Sequence, residues 1–125
     1  MGNYQKLHVW LLAKELAVKI YKLTGKQPFT KDFGLKDQIQ RSAVSIPGNI
    51  AEGDESGTNK ISVRYFYIAK GSVAELQTQL IIACEIGYVE NSVMESLADE
   101  CDRISIMLNK LIKTRSENFP GRRPL

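Results

Sequence analysis

With 125 residues, a net charge of +3 and 43% hydrophobic residues, the chain suits one domain, which at this size buries about two thirds of its unfolded surface without disulfide or metal staples. No apolar run approaches the roughly 20 residues of a membrane span, and Met1 to His8 holds no apolar signal core, so a soluble, cytoplasmic protein with no membrane partner is expected. The single histidine, His8, and the two cysteines, Cys84 and Cys101, fall at no chelating spacing, so neither a metal nor a cofactor is expected.

Helical periodicity appears first from about Lys6 to Thr24, through Val9, Trp10, Ala13, Leu16, Ala17, Ile20, Tyr21 and Leu23, and Gly25 and Pro28 end it. A second helix starts near Thr30 or Lys31, carries Leu35, Ile39, Ala43, Ile46 and Ile50, and ends by Gly53 and Gly57. It passes straight through Pro47, which costs about 3 kcal/mol in a helix interior, so a kink held by tertiary packing is expected instead of a loop. The small residues Ser42, Ala43 and Ser45 leave room for a neighbouring backbone, and a serine hydroxyl or a water would satisfy a freed carbonyl. Arg41 is expected in an ion pair with Glu52 or with a neighbouring subunit's carboxylate.

After Thr58, a plausible N-cap, the third helix repeats Phe66, Ala69, Val73, Leu76, Leu80, Ala83 and Gly87 at alternating spacings of three and four. The fourth begins near Asn91 or Ser92 and repeats Met94, Leu97, Cys101, Ile104, Leu108 and Leu111. Short connections force each helix antiparallel to the one before it. The expectation is therefore an all-α fold: an antiparallel up-down-up-down four-helix bundle over residues 1–115, with helix two kinked near Pro47 and an irregular basic tail over 116–125.

The third helix carries more apolar surface than one seam requires. Tyr65, Ile68, Ile82 and Ile86 form a second row, which either widens the core or marks an oligomer interface, and Gly71, Ala74 and Thr78 make a small-residue strip for close helix approach.

Charge is uneven along the chain. Residues 1–36 hold seven lysines against Glu15 and Asp32, residues 88–102 hold five acids and no base, and residues 103–125 hold six bases against Glu117. The candidate nucleic-acid contacts are Lys14, Lys19, Lys22 and Lys26 on the first helix, with Lys110, Lys113, Arg115, Arg122 and Arg123 toward the C-terminus; a stripe of point charges suits RNA or DNA phosphates. The carboxylates Glu52, Asp54 and Glu55 read as a solvated turn at a helix end. No cluster announces a reaction, and a non-enzymatic protein is expected.

Several stretches resemble a known family: Leu7-His8-Val9-Trp10, Ile20-Tyr21-Lys22-Leu23-Thr24, Phe33-Gly34-Leu35, the block from Gln38 to Gly53, Ile68-Ala69-Lys70-Gly71-Ser72, Glu75-Leu76 and Gly87-Tyr88. Together they closely resemble the four-helix bundle proteins encoded in intervening sequences of bacterial 23S ribosomal RNA genes, over about residues 7–115. The resemblance implies a ring-shaped homo-oligomer, a pentamer, and a distant likeness to the basic pentameric accessory proteins of diversity-generating retroelements, which engage nucleic acid and a reverse transcriptase. Within the block, Arg41, Pro47, Asn49, Glu52 and Gly53 are expected to act structurally. Where the family often has an arginine after its Ala-Glu-Gly, this chain has Asp54, Glu55 and Ser56, which weakens a basic site at that turn. Leu11 and Leu12 replace polar residues and suggest extra apolar surface for packing or assembly. The functional expectation is an oligomer binding RNA or another nucleic acid, with a structural adaptor for a protein partner as the alternative.

Overall fold

Helix α1 (His8–Thr24) follows a single 3-10 turn (Tyr4–Lys6), and a second such turn (Phe29–Lys31) precedes α2 (Phe33–Glu55), α3 (Asn59–Glu85) and α4 (Asn91–Ser116). The computed structural model describes residues 3–117. Its four long helices form the expected up-down-up-down bundle: α1 packs on α2, α2 on α3, α3 on α4, and α4 closes the square against α1. The α2–α3 seam is the most extensive and the α1–α4 seam the loosest. One apolar core runs its length, with Leu16, Ile20, Ile39, Ile46, Ile50, Phe66, Leu76, Leu80, Ile104 and Leu108 all sealed from solvent.

Helix ends follow local chemistry more closely than periodicity alone conveys. Helix α2 starts at Phe33, three residues past the expected Thr30, because Asp32 is the cap: its Oδ1 accepts the Leu35 N–H at 3.1 Å. Its Oδ2 accepts from the Tyr88 hydroxyl at 3.0 Å, tying the α1–α2 connection to the α3–α4 connection. That bond and the nearby carboxylate charge raise the Tyr88 phenol above its ordinary range. Thr58 caps α3 as expected, accepting from Ile61 N–H at 3.2 Å. At α4 neither Asn91 nor Ser92 caps; Glu90 holds that position without a side-chain bond, and Asn91 instead accepts from the Cys84 thiol at 2.9 Å. Helix α3 ends in a Schellman turn, with Tyr88 N–H on the Ala83 carbonyl (2.8 Å) and Gly87 N–H on that of Cys84 (3.0 Å), which requires the positive φ of Gly87. Near the end of α4 the fully packed residue is Ile112, and Leu111 is only partly covered.

Helix α2 runs unbroken through Pro47. A polar ladder flanks the proline: Asn49 Nδ2 donates to the Ser45 carbonyl at 2.8 Å and to Ser45 Oγ at 2.9 Å, and Ser45 Oγ shares a 2.8 Å bond with Ser72 Oγ on α3. Ile46 and Ile50, fully buried on either side, keep the segment docked. Helix formation here is thus supported by packing against α3, and the segment is helix and not loop.

Two neighbouring glycines respond oppositely to alanine. A Cβ on Gly48 meets nothing within 4 Å, so Gly48→Ala should raise stability by up to about 1 kcal/mol through helix propensity. A Cβ on Gly53 would lie 2.6 Å from Phe66 Cε1 and 3.1 Å from the Ser62 carbonyl, so Gly53→Ala should cost about 1–3 kcal/mol by overpacking. Urea titration of both variants checks the sign of each.

Both cysteines are free thiols. Burial, aided by the charges of Asp102 and Glu100, pushes the Cys101 thiol up to about 12. Because the thiolate is the reactive form, alkylation at neutral pH should modify half-buried Cys84 and spare Cys101 until the chain unfolds; mass spectrometry of the native protein gives the test.

Candidate functional site

The bundle leaves much of α3 uncovered. Ile68 is 46% exposed, Ile82 47% and Ile86 52%, with Gly71 open among them and Tyr65 half-buried. Four of the five expected interface residues therefore lie outside the core, and the second apolar row does not serve to widen it. Ile61 extends this flank, while Tyr67 and Ile81 are exposed on the flank toward α4. Full burial of one such side chain is worth about 1.5–3 kcal/mol, so a row of them left half in water is a surface with binding energy in reserve.

The basic candidates do not gather into one patch. Lys14, Lys22 and Lys26 are exposed on α1 or just past its end. Lys19 is engaged with Glu100 of α4, its Nζ 3.0 and 3.1 Å from the two carboxylate oxygens. Lys22 and Lys26 belong to the pole where α1 ends, and Lys110 and Lys113 to the opposite pole, where α4 ends and α1 begins. Lys6, Lys60 and Arg64 are exposed at that second pole too, because α3 also starts there. Lys60 and Arg64 went unnoticed in the sequence, although the antiparallel order itself places the start of α3 beside the end of α4. Arg122 and Arg123 lie outside the described residues.

Arg115 is not a surface base. Its guanidinium turns inward, donates to Asp54 Oδ1 at 2.6 Å and to Ser62 Oγ at 3.3 Å, and stacks 5.4 Å above the Phe66 ring. The Asp54 side chain is only 4% exposed. Asp54 is accordingly a buried ion-pair partner and not part of a solvated turn; Glu52 and Glu55 do remain at the surface. The pair links α4 to α2 across the bundle, and Ser62 extends it to α3 by donating to the Gly53 carbonyl at 2.6 Å. Ser56 closes the same corner through bonds to Gly53 and Ser62, each 2.8 Å.

Within the chain, Arg41 pairs with a different acid from the one expected. Its ion pair is with Asp37, one turn earlier at 3.3 Å, and not with Glu52. With the two side chains 80% and 67% exposed, this pair contributes about 0–1 kcal/mol. Arg41, Gln38, Ser42, Ser45, Ser72 and Glu75 line a shallow polar groove between α2 and α3. His8 is exposed at the first position of α1. Among the described residues no three His, Cys, Asp or Glu side chains converge as metal ligands, and no helix is long and apolar enough to cross a membrane.

Residues 5–110 match the model of the family described as 23S rRNA-intervening sequence protein. A crystal structure of a protein of unknown function from the S23 ribosomal protein family of Bacteroides thetaiotaomicron is 27% identical, covering 84% of this chain and 98% of that one, with a TM-score of 0.78. No curated protein matches the sequence.

Proposed function

The chain belongs to the 23S rRNA-intervening sequence protein family, and we propose that it is a non-enzymatic helical module that assembles with copies of itself and binds RNA through a basic rim. The observation that carries this reading is the row Ile68, Ile82 and Ile86, each about half exposed along one flank of α3. A face of that kind gains most from a protein surface, and a closed ring, such as the pentamer implied by resemblance, covers it in every copy.

Assembly also gives the scattered charges a use. Among the described residues, one subunit offers Lys6, Lys60, Arg64, Lys110 and Lys113 at one pole, diluted by Glu52, Glu55 and Glu117. In a ring whose helices run along its axis, the same pole of every subunit contributes to one rim, and sparse cations become a repeated array facing phosphates. Light scattering reads the assembled mass, and filter binding to a structured RNA at two salt concentrations reads the rim. Salt-sensitive binding at low micromolar protein is expected, and its absence sinks the RNA assignment. Retention of a protein partner after charge reversal at this pole, with no RNA bound, would support the adaptor alternative.

A further inference from the structure

We infer that α1 of one copy docks in the groove between α3 and α4 of a second copy, an assignment that rests on the self-assembly proposed above. A ring of more than two subunits needs two different, complementary surfaces on each chain. Ile81, on the α4 flank of α3, borders this groove, whereas Ile68, Ile82 and Ile86 lie on the other flank and are not covered by this docking.

The groove is a trough of about 530 Å³ with Ala74, Ile81, Met94 and Ala98 along it and Glu95 and Asp99 on its α4 rim. It is apolar along its length and acidic at one edge. Asp102 continues that edge one turn on and is held by Gln77 Nε2 at 2.7 Å. Glu95 and Asp99 form no ion pair among the described residues, so the rim's charge faces outward. The small side chains Ala74, Thr78 and Ala98 permit a helix to approach closely.

Helix α1 has the converse surface. Leu11, Lys14, Val18 and Lys22, at spacings of three, four and four, share its outer face. Leu11 is 36% and Val18 46% exposed, and neither Lys14 nor Lys22 has an ion-pair partner among the described residues. The two lysines are separated by about 12 Å along the axis, and the acids from Glu95 to Asp102 extend about 10 Å, at 1.5 Å rise per residue. Apolar residues thus meet the trough while two cations meet the acidic rim. Glu15 is the one acid on the same stretch of α1, and it lies toward α4 of its own chain, beside Lys19 and Arg103. Docking in this way assigns Lys14 and Lys22 to the subunit contact and leaves the opposite-pole bases for RNA. It also accounts for Leu11, an apolar residue at the bundle's exterior.

The test is charge reversal with rescue, read as mass by light scattering, with circular dichroism confirming the helical fold. Lys14→Glu/Lys22→Glu and Glu95→Lys/Asp99→Lys should each lower the assembled mass toward the 14.1 kDa subunit. Combining all four substitutions in one chain should restore it. Unchanged mass in both double variants overturns the docking, as does a folded quadruple variant that fails to reassemble. Loss of assembly on removing residues 118–125, with the α1 reversals silent, would assign the groove to the tail and overturn it as well. An unaltered chain that is monomeric throughout refutes self-assembly itself, whereas dissociation by Ile82→Glu/Ile86→Glu with silent charge reversals refutes only this contact. Should a reversal unfold the bundle, the unaltered chain still decides: a mass insensitive to salt between about 0.1 and 1 M, where screening of exposed charges becomes severe, contradicts the pairing.

Discussion

Replacing Arg115 with methionine should lower the unfolding free energy by about 3–5 kcal/mol, because it strands the Asp54 carboxylate in the interior without its counter-charge. The pair is short, 2.6 Å, and its acid is almost wholly covered. Asp54 Oδ2 has no hydrogen-bond partner among the described residues, so the carboxylate depends on Arg115 for its one strong contact. Net stabilisation by an intact pair of this kind is small, since burying both ions costs much of what their attraction returns. The double variant Arg115→Met/Asp54→Leu should therefore recover most of the loss, to within about 1–2 kcal/mol of the parent. Urea unfolding followed by circular dichroism measures both. A cost for Arg115→Met below about 1 kcal/mol would mean that water reaches Asp54 and that the pair behaves as a surface bridge. The same experiment separates structure from recognition: Arg115 was a candidate RNA contact, and any RNA binding lost with it should follow the loss of folded protein.

The fold was legible in the sequence because each long helix carries its own apolar row, including α2, whose row continues on both sides of Pro47. Periodicity does not supply which side chain caps a helix. Asp32 outcompetes Thr30 and Lys31 because its carboxylate serves two donors, Leu35 and Tyr88, and the second comes from 56 residues away. The Asp54–Arg115 pair was obscured for a similar reason, since its members are 61 residues apart on helices that are not sequential. A signal was nonetheless present. Asp54 follows Ile46 and Ile50 at spacings of four, and Arg115 follows Leu108 and Leu111 at spacings of seven and four, so each charge sits in its helix's apolar row. Two opposite charges in core registers at the same pole of an antiparallel bundle are candidates for a buried pair. The basic residues carried no such register, and only the helix order shows that they divide between two ends.

Introducing glutamate at Ile82 and Ile86 should convert an assembled protein to a folded monomer and weaken RNA binding by about 10²-fold or more. The two residues are 47% and 52% exposed and contribute nothing to the sealed core, so helicity and thermal unfolding of the subunit should change little. Two charges placed in an apolar contact must be desolvated on each association event, which opposes assembly far more than folding. The consequence for RNA follows from multivalency. When several weak rims act as one, each further contact is intramolecular, and avidity exceeds the single-site affinity by about 10²–10⁴-fold. A monomer retains the bases of its own pole but not that gain, and the slope of binding against salt should flatten as fewer phosphates are neutralised together. Light scattering and a salt-series filter-binding assay on the same preparation read both effects. Undiminished RNA affinity in a monomeric variant would show that one subunit suffices, and the proposed ring would then have to serve something other than its charge.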